Sequence, residues 1–168
     1  MRRSLLWVVV ILTALLLQST VFAQITLAGA KPDLVYLVTI VMAMLEGPAT
    51  GAVTGFAAGM AEDFLLNLPK GITALTLTLL GYAVGTLRQY IVTPSALLPV
   101  LMVGGGTVGG MLFNQLVKFL LGQLNVDFAD VVRTSLLAGA YNAILTPLVY
   151  PLLRRVAEAS RAKRVFRW

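Results

Sequence analysis

Long stretches of this chain carry no charge that could face water, and this constrains the fold more than any other feature. Hydrophobic residues make up 58% of the 168 residues, charged residues only 12%, and the mean hydropathy is +0.88. A soluble domain has about 25% charged residues. Most of this chain therefore has lipid as its solvent, where the backbone must satisfy its own hydrogen bonds, as a helix does. The sequence predicts an all-α integral membrane protein.

Two missing residue types exclude several kinds of chemistry. The chain has no cysteine and no histidine, which excludes disulfides, Cys/His zinc sites and catalytic sites that need either residue. No glycine-rich loop ends in Lys-Ser or Lys-Thr, the pattern of a phosphate-binding loop. We therefore expect no enzyme activity, no cofactor and no metal. The net charge of +6 comes largely from basic residues beside a membrane, so we expect no nucleic-acid binding.

Six apolar segments are candidates for membrane spans. A helix needs about 20 apolar residues to cross about 30 Å of hydrocarbon. Glu46-Gly47-Pro48 predicts a turn, because glycine ends helices and proline suits the first position of the next one. It divides one long run into two spans, of which the first is short. The predicted spans are residues 4–23, 33–45, 48–66, 71–87, 95–117 and 134–153. They predict one compact bundle over residues 1–153, followed by a basic tail over 154–168.

The basic residues predict how the bundle is oriented. Cytoplasmic segments carry an excess of Lys and Arg. With six spans and both termini in the cytoplasm, nine of the 13 basic residues lie on the cytoplasmic side. Six of these belong to the tail, which we expect to contact the anionic inner leaflet. The distribution supports six spans with both termini in the cytoplasm.

The start of the chain also resembles a secretory signal peptide. Met1-Arg2-Arg3 precedes an apolar run, and Val21-Phe22-Ala23 imitates a small-residue cleavage site. Cleavage would leave five spans and a new N-terminus outside the cell. We favour a retained first span, because the apolar run continues through the supposed site.

A stripe of small residues crosses the third span. Gly51, Gly55 and Gly59, here called the glycine stripe, recur at every fourth residue, and Asp63 continues the spacing. Small residues allow membrane helices to approach closely. One interpretation is packing within the bundle. The other is docking of a partner helix, with Asp33 and Asp63 contributing to the same surface.

Four polar residues lie in or next to the fifth and sixth spans. Asn114 and Gln115 lie near the end of the fifth span with Lys118 directly after it, and Asn142 lies in the middle of the sixth. Such side chains are costly in lipid, so they are expected to face the bundle interior or a cavity. Structural hydrogen bonding is one interpretation and a ligand cavity is another. Lys118 can also extend its ammonium to the membrane interface.

An ordered set of short motifs resembles the family of the rod shape-determining protein MreD. The motifs are Gln18-Ser19-Thr20, Lys31-Pro32-Asp33-Leu34, Gly47-Pro48, the glycine stripe with Asp63, Gly71-Ile72 and Gly81-Tyr82-x-x-Gly85. The resemblance covers residues 15–90, and the last two spans match only in length, hydropathy and basic end. Glu62 departs from the pattern, since an apolar residue is more usual before this aspartate.

The resemblance implies a fold and a set of partners. MreD-like proteins are inner-membrane partners of MreC, a protein with one membrane helix, and act in cell elongation with MreB, RodA and a transpeptidase. They resemble the six-helix substrate-binding subunits of energy-coupling-factor transporters and are not known as enzymes. The leading hypothesis is thus a non-enzymatic scaffold that binds an MreC-like protein and positions or regulates peptidoglycan synthesis. The rival is a transporter's small-molecule-binding subunit, with Asn114, Gln115, Lys118 and Asn142 around the pocket.

Overall fold

The described part of the chain is entirely helical apart from its turns and connections. A computed structural model describes residues 2–20, 31–66, 71–91, 95, 97–123 and 127–162. The prediction of an all-α protein is confirmed for these residues. The helices are α1 (Arg2–Thr20), α2 (Leu34–Glu46), α3 (Pro48–Leu65), α4 (Ile72–Tyr90), α5 (Leu98–Leu120) and α6 (Phe128–Ala162). The signal-like site at residues 21–23, Lys70 and the end of the predicted tail lie outside the described residues.

Each of these six helices overlaps one predicted span, with different ends. Helix α6 differs most, because it begins before residue 134 and continues beyond residue 153 into the predicted tail. Pro147 and Pro151 lie inside it without ending it. The turn at Glu46-Gly47-Pro48 is one residue long. Gly47 has a φ of 91°, which an L side chain adopts only with strain, and Pro48 is the first residue of α3.

Helix α2 lies at the centre of the bundle. It contacts each of the other five helices, and every residue from Leu34 to Met44 is buried. A helix that is apolar on all sides is stable only when it is covered on all sides. Its 13 residues extend for about 20 Å, less than the thickness of a bilayer core. The short predicted second segment is therefore the core helix.

Helices α3 and α4 approach each other through the glycine stripe. A Cβ atom at Gly51 would lie 2.6 Å from the carbonyl oxygen of Gly81, and one at Gly59 would lie 2.5 Å from Ala74 Cα. A Cβ at Gly55 would overlap the main chain of Leu77 more severely. The missing side chains are therefore what allow the two backbones to touch.

The outer surface of the bundle is apolar. Val53, Leu101 and Leu148 are each 70% or more exposed, whereas Thr107, Asn142 and other polar residues are fully buried. Among the described residues, Leu98–Leu120 and Phe128–Glu158 are long and apolar enough to cross a membrane. The arrangement is compatible with a helical membrane protein.

Candidate binding site at one end of the bundle

Polar side chains collect where α1, α3 and α5 end and α2, α4 and α6 begin. The first N–H groups of a helix have no partner within that helix. Carboxylates near these N–H groups are favourable because the helix start carries a partial positive charge. Asp33 and Asp63 bind N–H groups at the starts of α2 and α4.

Asp33 caps the central helix α2. Its Oδ1 accepts hydrogen bonds from the N–H groups of Val35 and Tyr36, both at 3.1 Å. The residue has an extended backbone, with φ −107° and ψ 95°, as expected for a helix N-cap. The Asp33 carboxylate is thus compensated by the start of α2.

Asn142, which belongs to α6, binds the main chain of Asp33. Its Nδ2 donates to the carbonyl oxygen of Asp33 at 2.8 Å and to Thr107 Oγ1 at 3.0 Å. Its Oδ1 accepts from the N–H of Asp33 at 3.1 Å. One buried amide therefore connects α6, α5 and the entry to α2.

Gln18 near the end of α1 bridges two other helices. Its Oε1 accepts from the N–H of Val35 at 3.2 Å, and its Nε2 donates to Glu62 Oε1 at 3.1 Å. Glu62 is only 5% exposed, yet its second oxygen, Oε2, is buried without a hydrogen-bond partner. This carboxylate is much less well compensated than that of Asp33.

Asp63 caps the start of α4 from the end of α3. Its Oδ2 accepts from the N–H of Gly71 at 2.8 Å and from the N–H of Ala74 at 3.4 Å. The side chain is completely buried. Asp63 therefore joins the end of α3 to the start of α4, at the same end of the bundle where Asp33 caps α2.

A cavity of about 140 Å³ lies between these groups. Glu62, Asn114, Gln115 and Lys118 contribute its polar lining, with the hydroxyls of Thr73 and Ser135. The remaining lining residues are Asp33, Tyr36, Met111, Val131 and Thr134. The residues that the structure describes contain no cluster of three metal-ligating side chains. The lining thus combines polar groups with apolar side chains.

The comparison with protein families identifies the chain's relatives. The model of the family described as rod shape-determining protein MreD matches residues 1–156 of the 168. The chain belongs to this family. No curated protein and no solved structure matches the chain significantly. The resemblance inferred from the motifs is confirmed, and with it a role in rod shape determination, in a family of membrane proteins not known as enzymes.

The structure separates the predicted partner-binding residues into packing and capping residues. Gly51, Gly55 and Gly59 lie against α4 of the same chain, and Asp33 and Asp63 bind the main chain at helix starts. In this structure the glycine stripe packs within the bundle. The opposite interpretation, direct docking of a partner helix on these glycines, would require α4 to move away.

The structure brings together three of the four predicted cavity residues. Asn114, Gln115 and Lys118 line the cavity, while Asn142 is completely buried beside it and is used to bind Asp33. Asn114 also has a structural contact, because its Nδ2 donates to Thr76 Oγ1 at 3.2 Å.

Sequence reasoning did not include Gln18 and Glu62 among the site residues. Both are polar residues in apolar segments, and the rule that such residues need a partner applies to them as it does to Asn114. Gln18 belongs to one of the family motifs, and Glu62, beside Asp63, is predicted either to be solvated at the membrane interface or to anchor the loop that follows α3. The contact between them joins residues 44 positions apart, which spacing within one helix does not reveal.

Proposed function

We propose that this protein is a non-enzymatic membrane scaffold of the bacterial cell-elongation machinery. In this role it binds an MreC-like protein with a single membrane helix, and helps to position or regulate peptidoglycan synthesis with MreB, RodA and the elongation transpeptidase. The observation that carries the proposal is the family match over residues 1–156. The absence of cysteine and histidine from the sequence supports a role without catalysis.

The proposed topology has six spans in the bacterial inner membrane. Both termini lie in the cytoplasm. Six described helices with an apolar outer surface support it, as does the excess of basic residues near the termini. Helix α2 is short but does not need to reach both membrane interfaces, because the neighbouring helices surround it.

The C-terminal end of α6 supports a further contact of this scaffold with lipid. Arg154 and Arg155 are exposed there, and Arg154 also pairs with Glu158 at 2.7 Å. We propose that this basic end lies at the anionic inner leaflet, where each basic residue contributes about 1 kcal/mol.

We propose that the glycine stripe, Asp33 and Asp63 contribute to partner binding through the shape of the bundle. All of them contact other parts of this chain. A partner helix would then dock on the outer surface of the α3–α4 pair that these residues hold together. Substitutions in the stripe would weaken partner binding only by distorting that pair.

Co-purification from native membranes tests the scaffold. Tagged protein is extracted in a mild detergent, and captured proteins are identified by mass spectrometry, with an unrelated tagged six-helix protein as the control. We expect an MreC-like single-span protein in the sample and not in the control. In cells depleted of their own protein, this chain should restore rod shape. Capture of paired ATPases with a coupling subunit, and no MreC-like protein, would contradict the proposal.

An alternative function is the small-molecule-binding subunit of an energy-coupling-factor-type transporter. The polar cavity at the end away from the termini favours it. Its volume of about 140 Å³ is smaller than the 300–1,000 Å³ that is typical of pockets for drug-sized ligands. The cavity size therefore disfavours a vitamin as the ligand. The same co-purification separates the two functions.

A further inference from the structure

The cavity holds two acceptor atoms that nothing in the described bundle satisfies. Glu62 Oε2 and Gln115 Oε1 are buried and have no hydrogen-bond partner, and both residues line the cavity. Burial of such atoms is costly unless a donor reaches them. The two oxygens therefore favour a ligand that brings several N–H donors.

The same lining contains the carboxyl group of Glu62 and the ammonium group of Lys118. No ion pair joins these two described residues, so neither group satisfies the other. The other nearby carboxylates are occupied, because Asp33 accepts from the start of α2 and Asp63 from the start of α4. A ligand with both a positive and a negative group would complement Glu62 and Lys118 together.

The volume limits the ligand to a few atoms. A cavity of about 150 Å³ in another protein holds one benzene molecule, so 140 Å³ accommodates on the order of six non-hydrogen atoms. Met111 and Val131 add apolar walls, and Tyr36 also lines the cavity. These walls favour a small organic molecule over a bare inorganic ion.

We propose that this cavity binds a small zwitterion with a primary ammonium group. The ammonium donates to Glu62 Oε2 and Gln115 Oε1, and the anionic group faces Lys118. This inference goes beyond the scaffold function and does not rest on it.

Two sources have this chemistry, a free amino acid of about the size of alanine and the ethanolamine headgroup of a membrane lipid. A largely apolar groove between α5 and α6 shares Gln115 and Val131 with the cavity. Leu112, Leu116 and Phe119 line this groove, so a lipid chain could occupy it while the headgroup enters the cavity.

Calorimetric titration of the full chain in phosphatidylcholine nanodiscs tests whether the cavity binds a free amino acid. The probes are alanine, ethylammonium with only the positive charge, and propionate with only the negative charge. We expect alanine to bind more tightly than either one-charge probe. Glu62→Gln, Lys118→Met and Gln115→Leu should each weaken alanine binding, by about tenfold or more for the two charged positions, since hydrogen bonds to charged groups are the strong ones.

Asp130→Asn and Arg133→Met are the matched controls. Both residues are exposed at the start of α6, and the substitutions change the net charge as the cavity variants do. They should leave alanine affinity unchanged. If the controls lose binding as much as Glu62→Gln does, the ligand is not in the cavity and the proposal is overturned.

Nanodiscs that contain phosphatidylethanolamine test the lipid source. Choline has no N–H donor, so only the ethanolamine lipid should raise the unfolding midpoint of the wild-type chain, and Glu62→Gln should abolish the increase. Binding of alanine identifies a free zwitterion, and an effect of the ethanolamine lipid alone identifies a headgroup. Neither effect, or effects of equal size in Glu62→Gln, would overturn the proposal.

Discussion

Asn142 in the sixth helix binds the main chain of Asp33 through both ends of its amide. Its Nδ2 donates to the Asp33 carbonyl oxygen at 2.8 Å, and the Asp33 N–H donates to its Oδ1 at 3.1 Å. The two residues are 109 positions apart, and Asn142 is completely buried. This pair fixes where the central helix begins, and therefore where Asp33 stands at the cavity.

Replacement of Asn142 by leucine should destabilise the bundle strongly. The substitution leaves the N–H of Asp33 without its acceptor, whereas the carbonyl oxygen of Asp33 keeps a hydrogen bond from the N–H of Leu37 at 3.2 Å. An unsatisfied group of this kind costs about 1–3 kcal/mol. We expect the free energy of unfolding to fall by about 1–3 kcal/mol, measured by denaturant titration in micelles. Gln123→Leu, at an exposed position, is the control and should change it by less than about 0.5 kcal/mol. Similar losses in both variants would show that the Asp33 contact is unimportant.

Alanine at Gly55 should separate α3 from α4. Its Cβ would overlap the carbonyl of Leu77, which belongs to a helix backbone and cannot rotate away. We expect a loss of about 1–3 kcal/mol or more and a lower thermal midpoint.

Gly109→Ala in α5 is the matched control for that change. A Cβ at Gly109 meets nothing within 4 Å, and alanine is a better helix former than glycine by about 0.5–1 kcal/mol. The control should therefore be neutral or slightly stabilising. If Gly55→Ala were as well tolerated as Gly109→Ala, the close approach of α3 and α4 would be wrong.

The sequence predicts the helices better than it predicts their contacts. Hydropathy and Gly47-Pro48 give the number of helices, because these are local signals. The glycine stripe shows that another helix comes close, but small residues admit a helix of the same chain as readily as a partner's. That Gly55 meets Leu77 depends on how the chain returns after residue 66, which no local pattern encodes.

For the candidate site too, the sequence predicts which residues face inward better than it predicts what they contact. The cost of polar groups in lipid identifies Asn114, Gln115 and Lys118 as inward-facing residues, and they line one cavity. Asn142 follows the same rule but is used for a structural contact. The distinction depends on whether the nearest neighbour is Asp33 or empty space, and it follows only from the packing of α2 against α6.

Cysteine labelling should report the two sides of the membrane. The chain has no native cysteine, so single substitutions can be labelled without background. Ser95 and Gln123 are exposed in the connections at opposite ends of α5. With six spans and cytoplasmic termini, Gln123→Cys should react with an impermeant maleimide in intact spheroplasts, and Ser95→Cys only after permeabilisation. The reverse pattern would place both termini outside the cytoplasm. Equal labelling of the two variants in intact spheroplasts would exclude the proposed six-span topology.

Loss of the Asp63 carboxylate should loosen the start of α4. In Asp63→Ala the N–H of Gly71 and the N–H of Ala74 lose their acceptor. In Asp63→Asn the amide oxygen can still accept from them. We expect the alanine variant to be less stable than the asparagine variant by about 1–2 kcal/mol, as for other helix caps, in micelle denaturation experiments.

Hydrogen exchange at the start of α4 distinguishes a lost cap from a general loss of stability. The amides of Gly71 and Ala74 should exchange faster in Asp63→Ala than in Asp63→Asn, whereas amides of α6 should change only as much as global stability does. Asp63 is completely buried, so solvent cannot replace the carboxylate as an acceptor unless this end of the bundle opens. Equal exchange at Gly71 in the two variants would mean that water already reaches this amide, and that the cap does not hold α3 to α4.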